Sequence, residues 1–407
     1  MAIHFLQFGH RDQWFFDTYR DQFDAVTVPG TVASYYPEGT SAFVQALGKP
    51  YLIDPRTPVF QAPADGPARP SHVTLAAWHA FPQGSDSVTP ADLLLDRPFL
   101  EGMVKGVLEG QARYAGRSRP KIEKYQRLLG RRSATSEERL LALLPPYFLL
   151  ERARDEWECV SRAILASIPK LAPTTPDVWP VLCVSKQLIA SGEVLSIHDR
   201  LGLGEYPAVV LIVDNLLEEL ESWRVLNGLA QAIYVWASKG QRVVSLFSGY
   251  FSILLTKLGL GGFGHGVGYG DRRRVRARAA GRPQPRYYVG PLHCMMARES
   301  AERILRLLSG RLTQCGCPAC RGHQEGGVVA TGQMPLKDLL VHFLHARHAE
   351  IERVNNSSVG QLVSELEETL RAVGDSARYL LGYVRHLEVW SRAFREAAAR
   401  AGIGYTL

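Results

Sequence analysis

PAVVLIVDNLLEELESWRVLNGLAQAIYVWASKGQRVVSLF, residues 207–247, decides the fold. The stretch opens on an apolar, β-branched run at 207–213 and closes on another at 241–247. Both runs are nearly continuous rather than alternating, which is the pattern of strands covered on both faces in a parallel sheet. The segment between them is amphipathic at helical spacing and ends at Gly240, a residue suited to stopping a helix. Strand, helix and strand in this order form a right-handed βαβ unit.

Working outward, similar runs recur at 2–8, 24–28, 50–54, 180–185, 261–268 and 286–291, which makes eight. Eight strands alternating with helices predict an α/β fold of TIM type, a (β/α)8 barrel. The glycine-rich GGFGHGVG at 261–268 is the least strand-like of them. About 125 residues separate the third run from the fourth, with a Pro-rich start and then helical patterning. This predicts a helical insertion over about 62–175 within a barrel domain spanning 1–310. Residues 311–407 hold a cysteine-bearing loop followed by two long helical patterns, a C-terminal helical subdomain.

The 407 residues are 46% hydrophobic, enough to bury a full core, so a disordered chain is excluded. No apolar run reaches 18 residues, so no membrane span is expected. The N-terminus reads as a first strand rather than a signal peptide, and six cysteines are too few for a disulfide scaffold, so a reducing cytoplasm is expected. The net charge of +7 is patchy. Residues 113–132 carry eight Lys/Arg against one Glu with two interleaved tyrosines, and 271–288 carry seven Arg and end in two tyrosines. Arginines for phosphates and tyrosines for stacking suit a nucleic-acid track; the plainer alternative is a solvated face and a surface loop.

Three of the six cysteines fall in LTQCGCPACRGH, residues 312–323. Cys315, Cys317 and Cys320 can converge on one tetrahedral ion, with a histidine as fourth ligand. His342, His345 and His348 lie along one face of the following helical pattern, and His323 is a weaker candidate. A site closed by four protein ligands is structural, and Zn2+ is the metal such ligands favour.

A barrel, then Cys-x-Cys-x-x-Cys, then a helical histidine resembles the tRNA-guanine transglycosylase superfamily. Val341-His342-Phe343-Leu344 resembles that family's histidine context, which implies His342 as the fourth ligand; His345 fits the family spacing and is the alternate. YLIDPRTP, residues 51–58, resembles the family's Asp-x-x-Thr-Pro, which implies Asp54 as general acid/base. The family's nucleophilic Asp precedes the first zinc cysteine by a few tens of residues, and Asp271 stands 44 before Cys315. The family's nucleophile motif itself is replaced, with His265 and Gly266 near its place. VVLIVDNL and LCVSKQLI stand where the base-binding segments belong. Those departures point to a divergent branch, most like the DNA-guanine transglycosylases that insert 7-cyano-7-deazaguanine. The resemblance implies nucleic acid as substrate, with DNA preferred and tRNA as alternative, a 7-deazaguanine base as co-substrate, and a homodimer. Accessory DNA-opening proteins are a further partner class that it admits.

Base exchange at a sugar C1′ proceeds through an oxocarbenium-like transition state flanked by two carboxylates. One attacks C1′ and the other moves protons on the departing and arriving bases. In a barrel these belong at C-terminal strand ends, where Asp54, Asp214 and Asp271 follow the third, fifth and seventh predicted strands. Asp54 could instead cap a turn, Asp214 a helix, and Asp271 simply pair with arginine. His265, Ser185, Tyr250, Arg272 and Arg273 are candidate substrate contacts. The glycines from 261 to 270 offer a backbone that a ligand can approach closely. Two further readings stay open: a non-catalytic nucleic-acid-binding barrel, and a hydrolase that removes a base without replacing it.

Overall fold

The computed structural model describes the chain except residues 10–11, 64–68, 82–85, 117–118, 129, 131–139, 173–175, 269–270, 278–283, 313, 377–380 and 404–407. Its centre is a curled sheet of eight strands, all paired in parallel. The strands are β1 (Ile3–Gln7), β2 (Ala25–Pro29), β3 (Tyr51–Asp54), β4 (Leu149–Leu150), β5 (Val181–Val184), β6 (Ala208–Val213), β7 (Arg242–Leu246) and β8 (Leu260–Gly266), in the order β3-β2-β1-β8-β7-β6-β5-β4.

The stretch that opened the sequence reading folds as a βαβ unit. All six residues of β6 are buried, as is all of β7 after Arg242. Helix Trp223–Ser238 between them turns Leu226, Leu229, Ala230, Ile233 and Trp236 inward and ends before Gly240, whose φ is +83°.

Two strands differ from expectation. The run at 286–291 does not join the sheet; it is β9 (Arg286–Val289), which makes an antiparallel hairpin with β10 (Cys294–Ala297). The missing member is β4, inside the segment expected to be a helical insertion. Pro145 and Pro146 break the apparent helical pattern just before it. Upstream of β4 the chain touches two strands. Leu140 bridges Tyr51 of β3, and Leu143 bridges Val178 on the way into β5.

Alternate residues of the strands share one buried cluster: Phe5, Ala25, Leu52, Leu149, Cys183, Val210 and Val244, from β1 to β7. β8 contributes glycine instead. A Cβ on Gly264 would stand 2.9 Å from Leu246 Cδ2 and 3.1 Å from Phe5 Cβ, and one on Gly262 would stand 3.1 Å from Phe5 Cε2. The close approach that these glycines permit is made by the protein's own Phe5 and Leu246; Gly270 lies outside the described residues. Beyond the hairpin come helices Leu336–Asn356, Val359–Ser376 and Leu381–Arg400, so the last helical pattern forms two helices packed on each other. No helix among the described residues is long and apolar enough to cross a membrane.

Candidate functional site

Cys315, Cys317, Cys320 and His342 converge, with all four ligand atoms within 4.8 Å of one another, and could hold a metal ion. Cys317 caps the four-residue helix Pro318–Arg321, a turn that carries Cys320 back toward the other two thiols. His342 comes from helix Leu336–Asn356 and is fully buried. Its Nε2–H donates to the Tyr288 carbonyl at 2.6 Å, which leaves the Nδ1 lone pair for the three sulfurs at 3.4, 3.6 and 3.2 Å. Tyr287 stacks on the imidazole with centroids 4.2 Å apart, and its hydroxyl lies 3.3 Å from Cys320 Sγ. His345 faces elsewhere, 3.0 Å from Gln22 Nε2 by its Nδ1. His323 pairs with Asp338 at 2.9 Å, and His348 lies 3.4 Å from Glu352.

The sequence Asp54-Pro55-Arg56-Thr57 builds a second constellation at the C-terminal end of β3. Arg56 turns the chain in the left-handed region at φ +57°. Its N–H donates to Asp54 Oδ1 at 3.0 Å, and the buried His79 holds the Pro55 carbonyl at 2.7 Å. The Thr57 hydroxyl donates to the Tyr147 carbonyl and accepts from the Tyr147 N–H at 2.9 Å. That clasp sets Tyr147 so that its hydroxyl donates to Asp54 Oδ1 at 2.7 Å. Burial, then the neighbouring Asp54 charge, pushes the Tyr147 phenol well above its usual range, so it stays a donor. Asp54 is only 1% exposed.

Asp214 stands one residue beyond β6, half-buried, and accepts from the Val275 N–H at 2.7 Å. Asn215 N–H donates to the Arg273 carbonyl at 2.6 Å. The two bonds tie the segment that follows β8 across the end of β6. Asp214 and Asp54 face a shared neighbour. Burial first, then Asp214 and Asp54, pushes the Cys183 thiol well above its usual range.

Asp271 belongs to a different group. It is 9% exposed and its Oδ2 accepts from Arg347 at 3.0 Å, while Oδ1 has no hydrogen-bond partner among the described residues. Arg347, also from helix Leu336–Asn356, is buried and donates to Glu350 at 2.9 Å and to the Tyr288 hydroxyl at 3.1 Å. Burial raises the Asp271 carboxyl to about 6, against the pull of Arg347. Glu219, after β6, is raised to about 7 by burial and by Asp271.

The remaining candidates are spread out. His265 points to the outer side of β8, 2.9 Å from His4 Nε2 and edge-on to Phe343, whose centroid is 5.2 Å away. Burial and Arg347 pull it down to about 3. Ser185 caps helix Lys186–Ser191 and donates to the Glu151 carbonyl at 3.0 Å. Tyr250 is buried and stacked on His293 at 3.5 Å. Arg272 is exposed, and Arg273 lies over the Phe247 ring at 4.9 Å. In the basic patches, Tyr114, Tyr287 and Tyr288 are buried, so Tyr125 is the one tyrosine of the four with partial exposure. Arg117, Arg131, Arg132, Arg278 and Arg282 lie outside the described residues.

Tyr147, Arg56 and Arg347 escaped the sequence reading. Arg56 and Tyr147 had a signal: the first sits inside the Asp54 motif, and the second follows Pro145-Pro146, which rules out a continuous helix. Arg347 lies five residues past His342, and only the tertiary fold identifies its partners. No family model matches this chain, and no curated protein matches it in sequence.

Proposed function

We propose that the chain is a nucleic-acid guanine transglycosylase, with DNA as its substrate and a 7-deazaguanine base, 7-cyano-7-deazaguanine, as its co-substrate. In this reading the curled sheet is a (β/α)8 barrel closed through residues 140–150, and its C-terminal mouth is the active site. One observation carries the reading. Asp54 closes β3 and Asp214 follows β6, so both carboxylates stand at the C-terminal end of one parallel sheet, with Cys183 near both. Two carboxylates at the C-terminal strand ends are the groups that a retaining exchange at C1′ uses.

Asp54, held by Tyr147 and the Arg56 N–H, is the proton-handling group. Asp214 is the nucleophile: its oxygen bonds to C1′ as the guanine N9 bond breaks, and the departing base takes its proton from Asp54. The incoming base returns a proton to Asp54 as its nitrogen displaces Asp214. Asp271, committed to Arg347, positions the helix that carries His342.

Zinc is the metal that suits Cys315, Cys317, Cys320 and His342. Bonds of about 2.3 Å to sulfur and about 2.0 Å to nitrogen in a tetrahedron separate S from N by about 3.5 Å. The measured 3.2–3.6 Å lies around that value. With four protein ligands the ion is structural and takes no part in the exchange.

The test is incubation of the purified protein with radiolabelled guanine and, in parallel, duplex DNA and unmodified tRNA. Label in DNA supports the proposal, and label confined to tRNA moves the substrate while keeping the chemistry. Label in neither polymer, from protein that binds both, overturns the enzymatic reading in favour of a nucleic-acid-binding fold.

A further inference from the structure

The chain from Asp271 to Ala277 lies across the open end of the sheet with its side chains alternating. Asp271 and Val275 are buried, Arg273 and Arg276 half-buried, and Arg272, Arg274 and Ala277 exposed. Val275, 4% exposed, belongs to the same buried cluster as Tyr147, Cys183, Ile212, Leu246 and Phe247. The strap is anchored at its start by the buried Asp271–Arg347 pair, and beyond it is held by Val275 N–H to Asp214, Asn215 N–H to the Arg273 carbonyl, Arg274 Nε to Asn215 Oδ1 at 3.5 Å, and Arg273 over Phe247. At its far end Arg276 pairs with Glu151 at 2.6 Å, with both side chains more than a third exposed. The neighbouring Asp54 loop, by contrast, is clamped by the paired Thr57–Tyr147 bonds.

Asp54 is 1% exposed, and Val275 packs in the same buried cluster as Tyr147, whose hydroxyl holds the Asp54 carboxyl. We propose that residues 271–277 are a gate that a nucleic-acid backbone opens: phosphates engage the strap arginines, Val275 leaves the interior, and Asp54 becomes accessible. The proposal rests on the nucleic-acid reading above and adds its regulation. A ligand shifts such an equilibrium only through a difference in affinity between the two states. The arrangement supplies that difference. When closed, the strap offers the exposed Arg272 and Arg274, while Arg273 and Arg276 are engaged on Phe247 and Glu151. When open, it offers all four. Two added phosphate contacts steepen the salt dependence of binding by about 2 in log K against log salt.

Cys183 reports the gate. It is 1% exposed inside the same cluster, Cys159 is exposed, and Cys294 is buried in the separate cluster that includes the C-terminal helices. Alkylation of the full-length protein by a maleimide, read cysteine by cysteine by mass spectrometry, follows all three. Labelling of a buried thiol tracks the population of the open form. We expect saturating 20-base-pair duplex to speed Cys183 labelling by about tenfold, with Cys294 unchanged and the gain lost at high salt. Val275→Gly is expected to label Cys183 quickly without DNA. Arg272→Glu with Arg274→Glu is expected to remove the DNA effect.

Slow Cys183 labelling in Val275→Gly, or in wild-type protein shown by fluorescence anisotropy to be DNA-bound, overturns the gate while leaving the proposed function standing. Absence of binding to both duplex and tRNA overturns the nucleic-acid reading and this trigger with it. Equal acceleration of Cys183 and Cys294 marks general loosening and also counts against the gate.

Discussion

Asp54 is defined by what surrounds it more than by its motif. Its Oδ1 takes the Tyr147 hydroxyl and the Arg56 N–H. Tyr147→Phe removes the hydroxyl alone. Leaving a buried acceptor without its partner costs about 1–3 kcal/mol, so the variant is expected to unfold at lower denaturant with an unchanged m-value. On the proposed function it also slows base exchange by about tenfold or more, with the metal retained. A second residue-scale expectation concerns β8. Gly264→Ala places a methyl against Leu246 and Phe5, an overpacking that costs about 1–3 kcal/mol. Shortening Phe5 to Leu in the same chain is expected to recover part of that loss, which a double-mutant cycle measures.

These two residues also mark what could be read beforehand. Asp54 was singled out by the resemblance of its Asp-x-x-Thr-Pro, and the Arg56 N–H that it accepts is the turn-capping bond which was the plainer alternative. The β8 glycines were legible as a close approach, but its partner was not, because Phe5 is more than 250 positions away in the chain.

Among the elements, helix Leu336–Asn356 does the most joining. His342 reaches the three thiols, Phe343 packs on His265, His345 meets Gln22, and Arg347 holds Asp271. A metal held by the three thiols and His342 would, with the Arg347 network, fix one helix at two places. Chelation is expected to release one equivalent of metal per chain, lower Tm, and expose the loop around Cys315–Cys320 to protease. Elemental analysis with limited proteolysis checks this. Cys320→Ser is expected to lose the metal, whereas His345→Ala is expected to keep it. The three thiols were legible from spacing. Val341-His342-Phe343-Leu344 had already pointed to His342, and the helix turns that residue inward while leaving the alternate, His345, only partly buried. β4 shows the opposite case. Its two residues are too few for a pattern, and the apolar run containing them mimics a helix until the prolines are given their weight.

For the whole molecule, buried histidines set the response to acid. Burial pulls His265 down to about 3 and His79 and His386 to about 4, and holds His4 well below its usual range. An unfolded histidine takes its proton near 6.5. Below that pH the unfolded chain therefore binds protons that the folded chain refuses, and stability falls as pH falls toward about 4. Asp271 and Glu219, raised to about 6 and about 7, act in the opposite direction. They take protons in the folded state before they would in the unfolded one. His345 is lowered as well and Glu218 is raised, both by burial, so five histidines stand against three carboxyls and Tm is expected to drop between pH 6.5 and 5. His265→Gln is expected to flatten that drop, and calorimetry across the range checks both.

At this scale the division between chain and fold is clear. The sequence by itself determined the βαβ units, seven of the eight sheet strands, and the cysteine loop. Each rests on residues close together in the chain, where apolar periodicity, glycine stops and ligand spacing act locally. Tertiary structure alone decided that β9 leaves the sheet while β4 completes its edge, and that Arg347 takes Asp271. It also laid the arginine strap against Asp214 at the end of β6. Those outcomes depend on which buried charges and side chains meet across long stretches of chain, and a carboxylate or a valine has no partner until the sheet has curled.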